Sequence, residues 1–183
     1  MQSGAQPKLA CPGLSIDDFG HVRERPLRRL IVHWLAVRGH RSMPARTDID
    51  PIDVPWALSR LWLCDYEPAV DKFRYRIAGE DINRVFGYNL ARHYLDDVVA
   101  ADKREAIREK YQRIRTGPCI MHDIGQVYLS DDRPAIGERI VLPLASMGTA
   151  VDAIVGATIY RINVDRTESR RWAGRHDTVF TPI

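Results

Sequence analysis

A histidine and a carboxylate stand next to each other at His122 and Asp123, and they are the side chains best suited to acid–base chemistry. An imidazole and a carboxylate that share an apolar pocket can move a proton near neutral pH. The pair therefore keeps open the hypothesis of a small, cone-shaped α+β enzyme with an acid–base pair in an apolar cavity. The sequence contains no HExxH, GxSxG, GxGxxG or GxxxxGKS/T motif, so no residue is assigned as catalytic.

Metal and disulfide chemistry have little support in the sequence. The three cysteines, Cys11, Cys64 and Cys119, are odd in number and far apart, which argues against a disulfide framework and against a CxxC site. Histidines and cysteines do not cluster at the spacing of metal ligands. We therefore expect no bound metal, and we expect Cys64 and Cys119 to be small core residues of a cytoplasmic protein.

Aromatic and apolar residues of the central region predict a small-molecule cavity between a sheet and its covering helices. The candidate lining residues are Phe86, Tyr88, His122, Tyr128 and Leu142. Ligand pockets are mainly apolar with a few polar groups, and this set has that character. The alternative is that these side chains form an ordinary close-packed core. Of the six histidines, His93 and His122 are the two that fall where they could reach the cavity.

Positive charge is concentrated near the N-terminus. The net charge is only +3, yet residues 21–46 hold seven arginines and one glutamate. Such a patch could attract nucleic acid, an anionic membrane or an acidic partner. The charge lies on one helix without interleaved exposed aromatic residues, which nucleic-acid surfaces usually add. We therefore expect weak, salt-dependent nucleic-acid binding without sequence specificity, or simply a solvated helix face.

Apolar periodicity divides the chain into an unpatterned arm, one patterned domain and a tail. Residues 1–20 are predicted to be a flexible N-terminal arm, residues 21–163 a single domain, and residues 164–183 a polar C-terminal tail. Within the domain the pattern predicts an amphipathic helix, a two-stranded hairpin, short helices, a long helix over 102–116, and three strands over 119–129, 136–145 and 152–162. This order predicts an α+β fold, with a five-stranded antiparallel sheet covered by helices on one face.

The predicted N-terminal helix over 26–38 has a wide apolar stripe. Its members recur at helical spacing: Leu27, Leu30, Ile31, Trp34 and Leu35. The stripe must be covered either by the sheet of the same chain or by a second copy. Trp34 is of the residue type that anchors protein interfaces, so we expect the stripe to form a homodimer interface.

No apolar run approaches the roughly 20 residues that cross a bilayer. The first residues also lack the continuous apolar stretch of a secretory signal. We therefore expect no membrane insertion, in agreement with the predicted cytoplasmic location.

Five short runs carry a resemblance to a known family. They are MPARTDIDP at 43–51, FRYRIAG at 73–79, FGYNLAR at 86–92, LPL at 142–144 and VDAIVG at 151–156. In this order and spacing the chain resembles a family of short, stand-alone bacterial PAS-like proteins over roughly residues 26–163. The predicted order of helices and strands also matches the PAS fold. Ala91 departs from the pattern, since glycine is expected there.

The resemblance implies a function in signal transduction. PAS domains bind small ligands or cofactors in a cleft between sheet and helices, and they commonly pair through an N-terminal amphipathic helix. Most act on an attached output domain, and none is recognisable after residue 163. The leading hypothesis is therefore a non-catalytic sensory or regulatory module that binds a small ligand or a protein, with a separate signalling protein as its output.

The resemblance also bears on cofactors. Haem-binding PAS domains use a histidine, and neither His93 nor His122 has a convincing setting for that role. Light-sensing flavin domains use a cysteine within a run like Asn-Cys-Arg-Phe-Leu, and no such run occurs here. We therefore expect neither haem nor flavin.

Overall fold

A computed structural model describes residues 13–130, 133–162, 167, 170 and 176–183. Within these ranges the domain has three α-helices and six strands. The helices are α1 (Arg25–Arg38), α2 (Glu80–Phe86) and α3 (Arg104–Thr116). The strands are β1 (Leu61–Glu67), β2 (Lys72–Ala78), β3 (Cys119–Ser130), β4 (Arg133–Leu144), β5 (Ala153–Arg161) and β6 (His176–Pro182).

The strands form one sheet in the order β2-β1-β5-β4-β3-β6, and every neighbouring pair is antiparallel. The hairpin of β1 and β2 was expected from the sequence, and β3, β4 and β5 correspond to the three strands predicted over 119–129, 136–145 and 152–162. The observed α+β class and the long α3 helix also confirm the sequence prediction.

The sixth strand corrects the prediction of a five-stranded sheet. β6 lies within residues 164–183, which were expected to be a polar tail, and it pairs with β3 from Cys119↔Pro182 to Gly125↔His176. Most of its side chains are at least partly exposed. Its place is set by backbone hydrogen bonds to the edge of β3, which any sequence can make, so no apolar pattern marks it.

Helix α1 covers one face of the sheet, and this overturns the predicted dimer interface. Leu27, Leu30, Ile31 and Trp34 are completely buried within the single chain. The Trp34 indole Nε1 donates a hydrogen bond to the carbonyl oxygen of Pro143, at 2.9 Å. Leu35 is half-buried at the margin. Burial of each large apolar side chain contributes about 1.5–3 kcal/mol, so the chain's own sheet satisfies the stripe.

Part of the predicted flexible arm is also packed. Residues 1–12 lie outside the described residues, but Ser15 caps a 3₁₀ turn over Ile16–Phe19. Phe19 is fully buried, and its carbonyl oxygen accepts a hydrogen bond from the Arg28 guanidinium at 2.8 Å. The domain therefore begins before residue 21.

Helices α2 and α3 lie on the opposite face of the sheet from α1. Tyr111 and Ile114 of α3 are buried and Ile107 is half-buried, as their helical spacing predicts. No described helix is long and apolar enough to cross a membrane. The sheet thus separates two packed layers, and a cavity opens on the side of α2 and α3.

Candidate functional site

A cavity of about 340 Å³ lies between the sheet and the α2–α3 layer. We call the sheet surface that lines it the cavity face, and the opposite surface the α1 face. Helix α3 supplies Ile107, Lys110 and Tyr111, which share one side of the helix because they are three and four residues apart. The aromatic lining residues are Trp62, Tyr75, Phe86, Tyr111 and Tyr128.

Trp62 forms part of the sheet wall because its strand neighbour is a glycine. Gly156 of β5 pairs with Trp62 of β1, and a Cβ at position 156 would lie 2.2 Å from the indole ring. The absence of a side chain lets the indole lie across β5. The Nε1 atom of Trp62 then donates to the Thr158 hydroxyl oxygen at 3.5 Å.

Arg139 of β4 is the charged group of the cavity face. Its side chain is buried, with the residue only 8% exposed, and it lines the cavity. Nε donates to the Thr158 hydroxyl at 3.2 Å and one terminal NH₂ nitrogen to the Val127 carbonyl at 2.8 Å. The guanidinium carbon lies 4.6 Å from the centre of the Tyr128 ring. An arginine stays protonated in such surroundings, so a full positive charge sits in an aromatic pocket.

Asp123 of β3 is the carboxylate of the same face. Lys110 Nζ lies 2.9 Å from its Oδ1 atom, and the Thr178 hydroxyl of β6 donates to the same oxygen. Burial alone raises the pKa of a carboxyl group, but here Lys110, Arg139 and the hydrogen bond from Thr178 outweigh it. The pKa of Asp123 therefore lies below its ordinary value, and the group is ionised at neutral pH.

His122 and Glu138 lie on the α1 face, away from the cavity. His122 Nε2 is 3.2 Å from Glu138 Oε2. The same oxygen accepts hydrogen bonds from the backbone amides of Arg23 and Glu24, at 3.0 and 3.2 Å. The His21 ring lies 5.1 Å from the His122 ring. Glu138 thus ties the residues that precede α1 to the sheet.

Electrostatics on the α1 face follow from this arrangement. Burial acts to raise the pKa of Glu138, but the hydrogen bonds from His122 and from the two backbone amides bring it below its ordinary value. Burial and the neighbouring His122 lower the pKa of His21. The Glu138 carboxylate therefore acts as a charged anchor at neutral pH.

The predicted acid–base pair is not assembled. His122 and Asp123 are consecutive residues of β3, and consecutive strand side chains point to opposite faces. Asp123 lines the cavity, whereas His122 contacts Glu138 and His21 on the α1 face. The two groups cannot serve one substrate, so this basis for the enzyme hypothesis is wrong.

The predicted cavity residues divide in the same way. Phe86 and Tyr128 line the cavity, whereas Tyr88, His122 and Leu142 do not. Tyr88 is 46% exposed, and Leu142 is fully buried in packed core.

The histidine that lines the cavity is neither of the two expected from the sequence, His93 and His122. His93 is exposed, and its ring lies 5.2 Å from the Tyr88 ring, outside the cavity. His176 of β6, which was assigned to the tail, lines the cavity instead. Burial and the nearby Lys110 lower its pKa. Only the pairing of β6 with β3 brings this residue to the site.

Sequence reasoning also missed Arg139, Lys110 and Thr178 as site residues. One signal was present: Glu138 and Arg139 interrupt an otherwise apolar predicted strand. Ionised side chains are rarely buried without a reason, so this charged pair marked a place where both faces of the strand make polar contacts.

The described cavity has no cysteine in its lining and no cluster of metal-ligating side chains. Within the described ranges, no group of three or more His, Cys, Asp or Glu side chains could hold a metal ion. Cys64 and Cys119 are free and buried, and neither belongs to the cavity lining.

Comparison with known proteins identifies similar sequences and folds. A family model described as "PAS domain" matches residues 22–159. No curated protein matches the chain. Among solved structures, the Rhodobacter sphaeroides LOV protein is 14% identical, with 69% of this chain and 76% of that chain covered and a TM-score of 0.44.

A second structural neighbour is a light-oxygen-voltage domain whose mechanism was studied with a flavin analogue. It is 12% identical, with 67% of this chain and 90% of that chain covered and a TM-score of 0.39. Both TM-scores are below 0.5, so we draw no conclusion about a ligand from these two neighbours.

Proposed function

The chain belongs to the PAS-domain family, and from this premise we propose that it is a non-catalytic sensory module that binds a small ligand in the cavity between the sheet and the α2–α3 layer. The observation that carries this proposal is the cavity itself. Its volume of about 340 Å³ falls within the roughly 300–1,000 Å³ of typical ligand pockets. Aromatic walls with a few convergent polar groups, Lys110, Asp123 and Arg139, are the usual composition of such pockets.

We further propose that the sensor acts on a separate signalling protein, to which it binds in the cytoplasm. The β4 strand connects the cavity to the segment before α1, because Arg139 and Glu138 are adjacent on it. Self-association is also part of this proposal. Since the apolar stripe of α1 is buried, pairing would use the solvent side of that helix, where Val32 is 47% exposed.

Two alternative functions have less support. A catalytic role has no assembled acid–base pair, because His122 and Asp123 lie on opposite faces. A nucleic-acid surface would need free arginines, but several near the N-terminus already make contacts within the chain. Arg41 forms an ion pair with Asp48 at 2.8 Å, and the Arg29 guanidinium lies 4.4 Å from the centre of the Trp56 ring.

Flavin and haem remain outside the proposal. One light-oxygen-voltage neighbour was studied with a flavin analogue, which runs against the expectation of no flavin but does not decide it at so low a structural similarity. A cysteine that reacts with flavin would have to line the cavity, and neither Cys64 nor Cys119 does. Haem would need an axial ligand, for which His176 is the lining histidine. The absence of both cofactors stays a prediction.

Ligand occupancy can be tested by filling the cavity. Ala106 of α3 lines it, whereas Ala36 of α1 is exposed on the other side of the molecule. Native mass spectrometry of freshly purified wild type should show a bound small molecule that Ala106→Trp loses and Ala36→Trp retains.

A second test measures the Tm of wild type and of Ala106→Trp in the presence of each compound of a small-molecule library. The proposal fails if wild type carries nothing on purification and no compound raises its Tm more than that of Ala106→Trp. Equal binding by wild type and Ala106→Trp would likewise place the ligand outside the cavity and contradict the proposal.

A further inference from the structure

We propose that the cavity ligand is an organic monocarboxylate with an apolar body, and that its carboxylate is bound by Arg139. This inference rests on the proposed function, because it assumes that the cavity holds a ligand. It adds the chemical class of that ligand and the residue that selects it.

The first argument is the unbalanced charge of Arg139. Within the part of the chain that the structure describes, no carboxylate forms an ion pair with this guanidinium, and its hydrogen bonds go to the neutral oxygens of Thr158 and Val127. A guanidinium has five N–H donors, so these two bonds leave donors for a ligand. A buried cation that shares its nearest carboxylate, Asp123, with Lys110 is only partly compensated, and an anionic ligand would lower the remaining cost.

The second argument is that the nearest carboxylate already has a partner. Asp123 lies opposite Arg139 on the neighbouring strand, but its Oδ1 atom is held by Lys110 and Thr178. One carboxylate thus lies beside two cations, the half-buried Lys110 and the buried Arg139. Glu138 of β4, which is also buried, points to the α1 face and makes its hydrogen bonds there. The centre of the cavity therefore keeps one net positive charge.

The phenol groups around Arg139 do not supply the missing anion. Burial raises the pKa of Tyr75 and of Tyr111 well above the ordinary value for tyrosine. Both are neutral at physiological pH, and so they offer hydrogen bonds and aromatic surface without charge.

The shape and chemistry of the cavity favour a carboxylate over a phosphate. A guanidinium matches a carboxylate through two parallel N–H···O bonds, and a single negative charge balances the single excess positive charge. Much of the remaining wall is apolar, with Leu95, Val98 and Ile107 beside the aromatic side chains, although Asp102, Lys103, Gln126 and His176 also line the cavity. The apolar part of the wall suits a hydrocarbon or aromatic body, and the one excess positive charge is balanced by a monoanion rather than by a dianionic phosphate.

Matched acids and amides test this inference on the wild-type protein. Phenylacetate, 3-phenylpropionate and 4-phenylbutyrate are each compared with the corresponding primary amide by isothermal titration calorimetry. We expect at least one acid to bind more tightly than its amide by about tenfold or more, as charge-assisted bidentate bonds allow. Amides that bind as tightly as the acids would overturn the anion inference and leave the ligand-binding function standing.

If neither acids nor amides bind, the anion inference is overturned, and the Ala106→Trp comparison decides separately whether the cavity binds any ligand. Inorganic phosphate and phenyl phosphate are titrated in the same way, to compare their affinities with those of the acids. Phenyl phosphate that binds more tightly than every acid would replace carboxylate by phosphate as the ligand class and contradict the proposal.

Substitution of Arg139 separates a binding role from a structural one. In Arg139→Met, the difference between acid and amide should disappear, while the Tm without ligand falls only slightly, because removal of a buried charge offsets part of the lost contacts with Thr158 and Val127. The control Arg84→Met, at a side chain that is 66% exposed, should keep the preference for acids. A lower Tm without ligand, together with an unchanged preference, would show that Arg139 is structural. If Arg139→Met does not fold, Arg139→Lys takes its place, with the preference for acids expected to fall because the planar fork is lost.

Discussion

Glu138 and Arg139 are neighbours on β4 and serve opposite faces of the sheet. The Glu138 carboxylate accepts hydrogen bonds from the backbone amides just before α1, at 3.0 and 3.2 Å. The Arg139 guanidinium lies in the cavity, against Thr158 and the Tyr128 ring. A shift of β4 that follows ligand binding at Arg139 would therefore also move the Glu138 carboxylate, which holds the backbone at the start of α1.

The packing of α1 on the sheet predicts the result of truncating its stripe. Leu30→Ala removes a completely buried side chain and should lower the free energy of unfolding by about 2–5 kcal/mol. Ile52→Ala, at a side chain that is 82% exposed, should change it by less than about 0.5 kcal/mol. Urea unfolding followed by circular dichroism measures both. A stable Leu30→Ala monomer obtained from a wild-type dimer would instead restore the interface hypothesis.

Acid should weaken the tie between Glu138 and α1. Because the pKa of Glu138 is lower in the folded chain than its ordinary value of 4.5, the unfolded chain binds the proton first. The stabilisation is thus complete above pH 4.5 and is lost as the pH falls through the folded pKa. Urea unfolding at a series of pH values should show a shallower acid loss for Glu138→Gln than for wild type.

Glu109 provides the control for this pH prediction. It is exposed on α3, so Glu109→Gln should keep the wild-type acid profile. An acid profile of Glu138→Gln that coincides with that of wild type would mean that Glu138 does not carry the charge-dependent stability.

The contact between Gly156 and Trp62 predicts strong sensitivity to one methyl group. Gly156→Ala places a Cβ 2.2 Å from the indole ring, so the ring must move, at a cost of about 1–3 kcal/mol. Gly20→Ala is the control, since its Cβ would meet nothing closer than 3.7 Å. Thermal unfolding and tryptophan fluorescence should both change for the first variant alone. Wild-type behaviour of Gly156→Ala would show that Trp62 does not rest on β5.

Purified protein should have no visible absorption band from haem or flavin. The lining lacks cysteine, and His176 lies on an exposed edge strand, so neither cofactor has a well-held attachment point. The measurement is an absorption spectrum over roughly 350–700 nm, which covers the visible bands of both cofactors. A band that disappears in His176→Ala would establish haem, and a band that survives in that variant with flavin fluorescence would establish flavin.

The β1–β2 hairpin and the amphipathic helices could be predicted because their signals are local. Alternating side chains at Phe73, Tyr75 and Ile77 mark β2, and the spacing of Tyr111 and Ile114 marks the buried side of α3. β6 gave no such signal, because an edge strand with mostly exposed side chains is held by backbone hydrogen bonds. The site residues Thr178 and His176 could not be predicted for the same reason.

The sequence by itself determined the α+β order of elements, the apolar stripe of α1 and the presence of polar residues within apolar strands. Only the tertiary structure decided which layer covers the stripe, since a stripe specifies that it must be buried but not by which surface. It likewise decided that Asp123 and Arg139 share the cavity while His122 and Glu138 share the opposite face. Alternation separates neighbours on one strand, but the register between β3 and β4 selects which residues meet across strands.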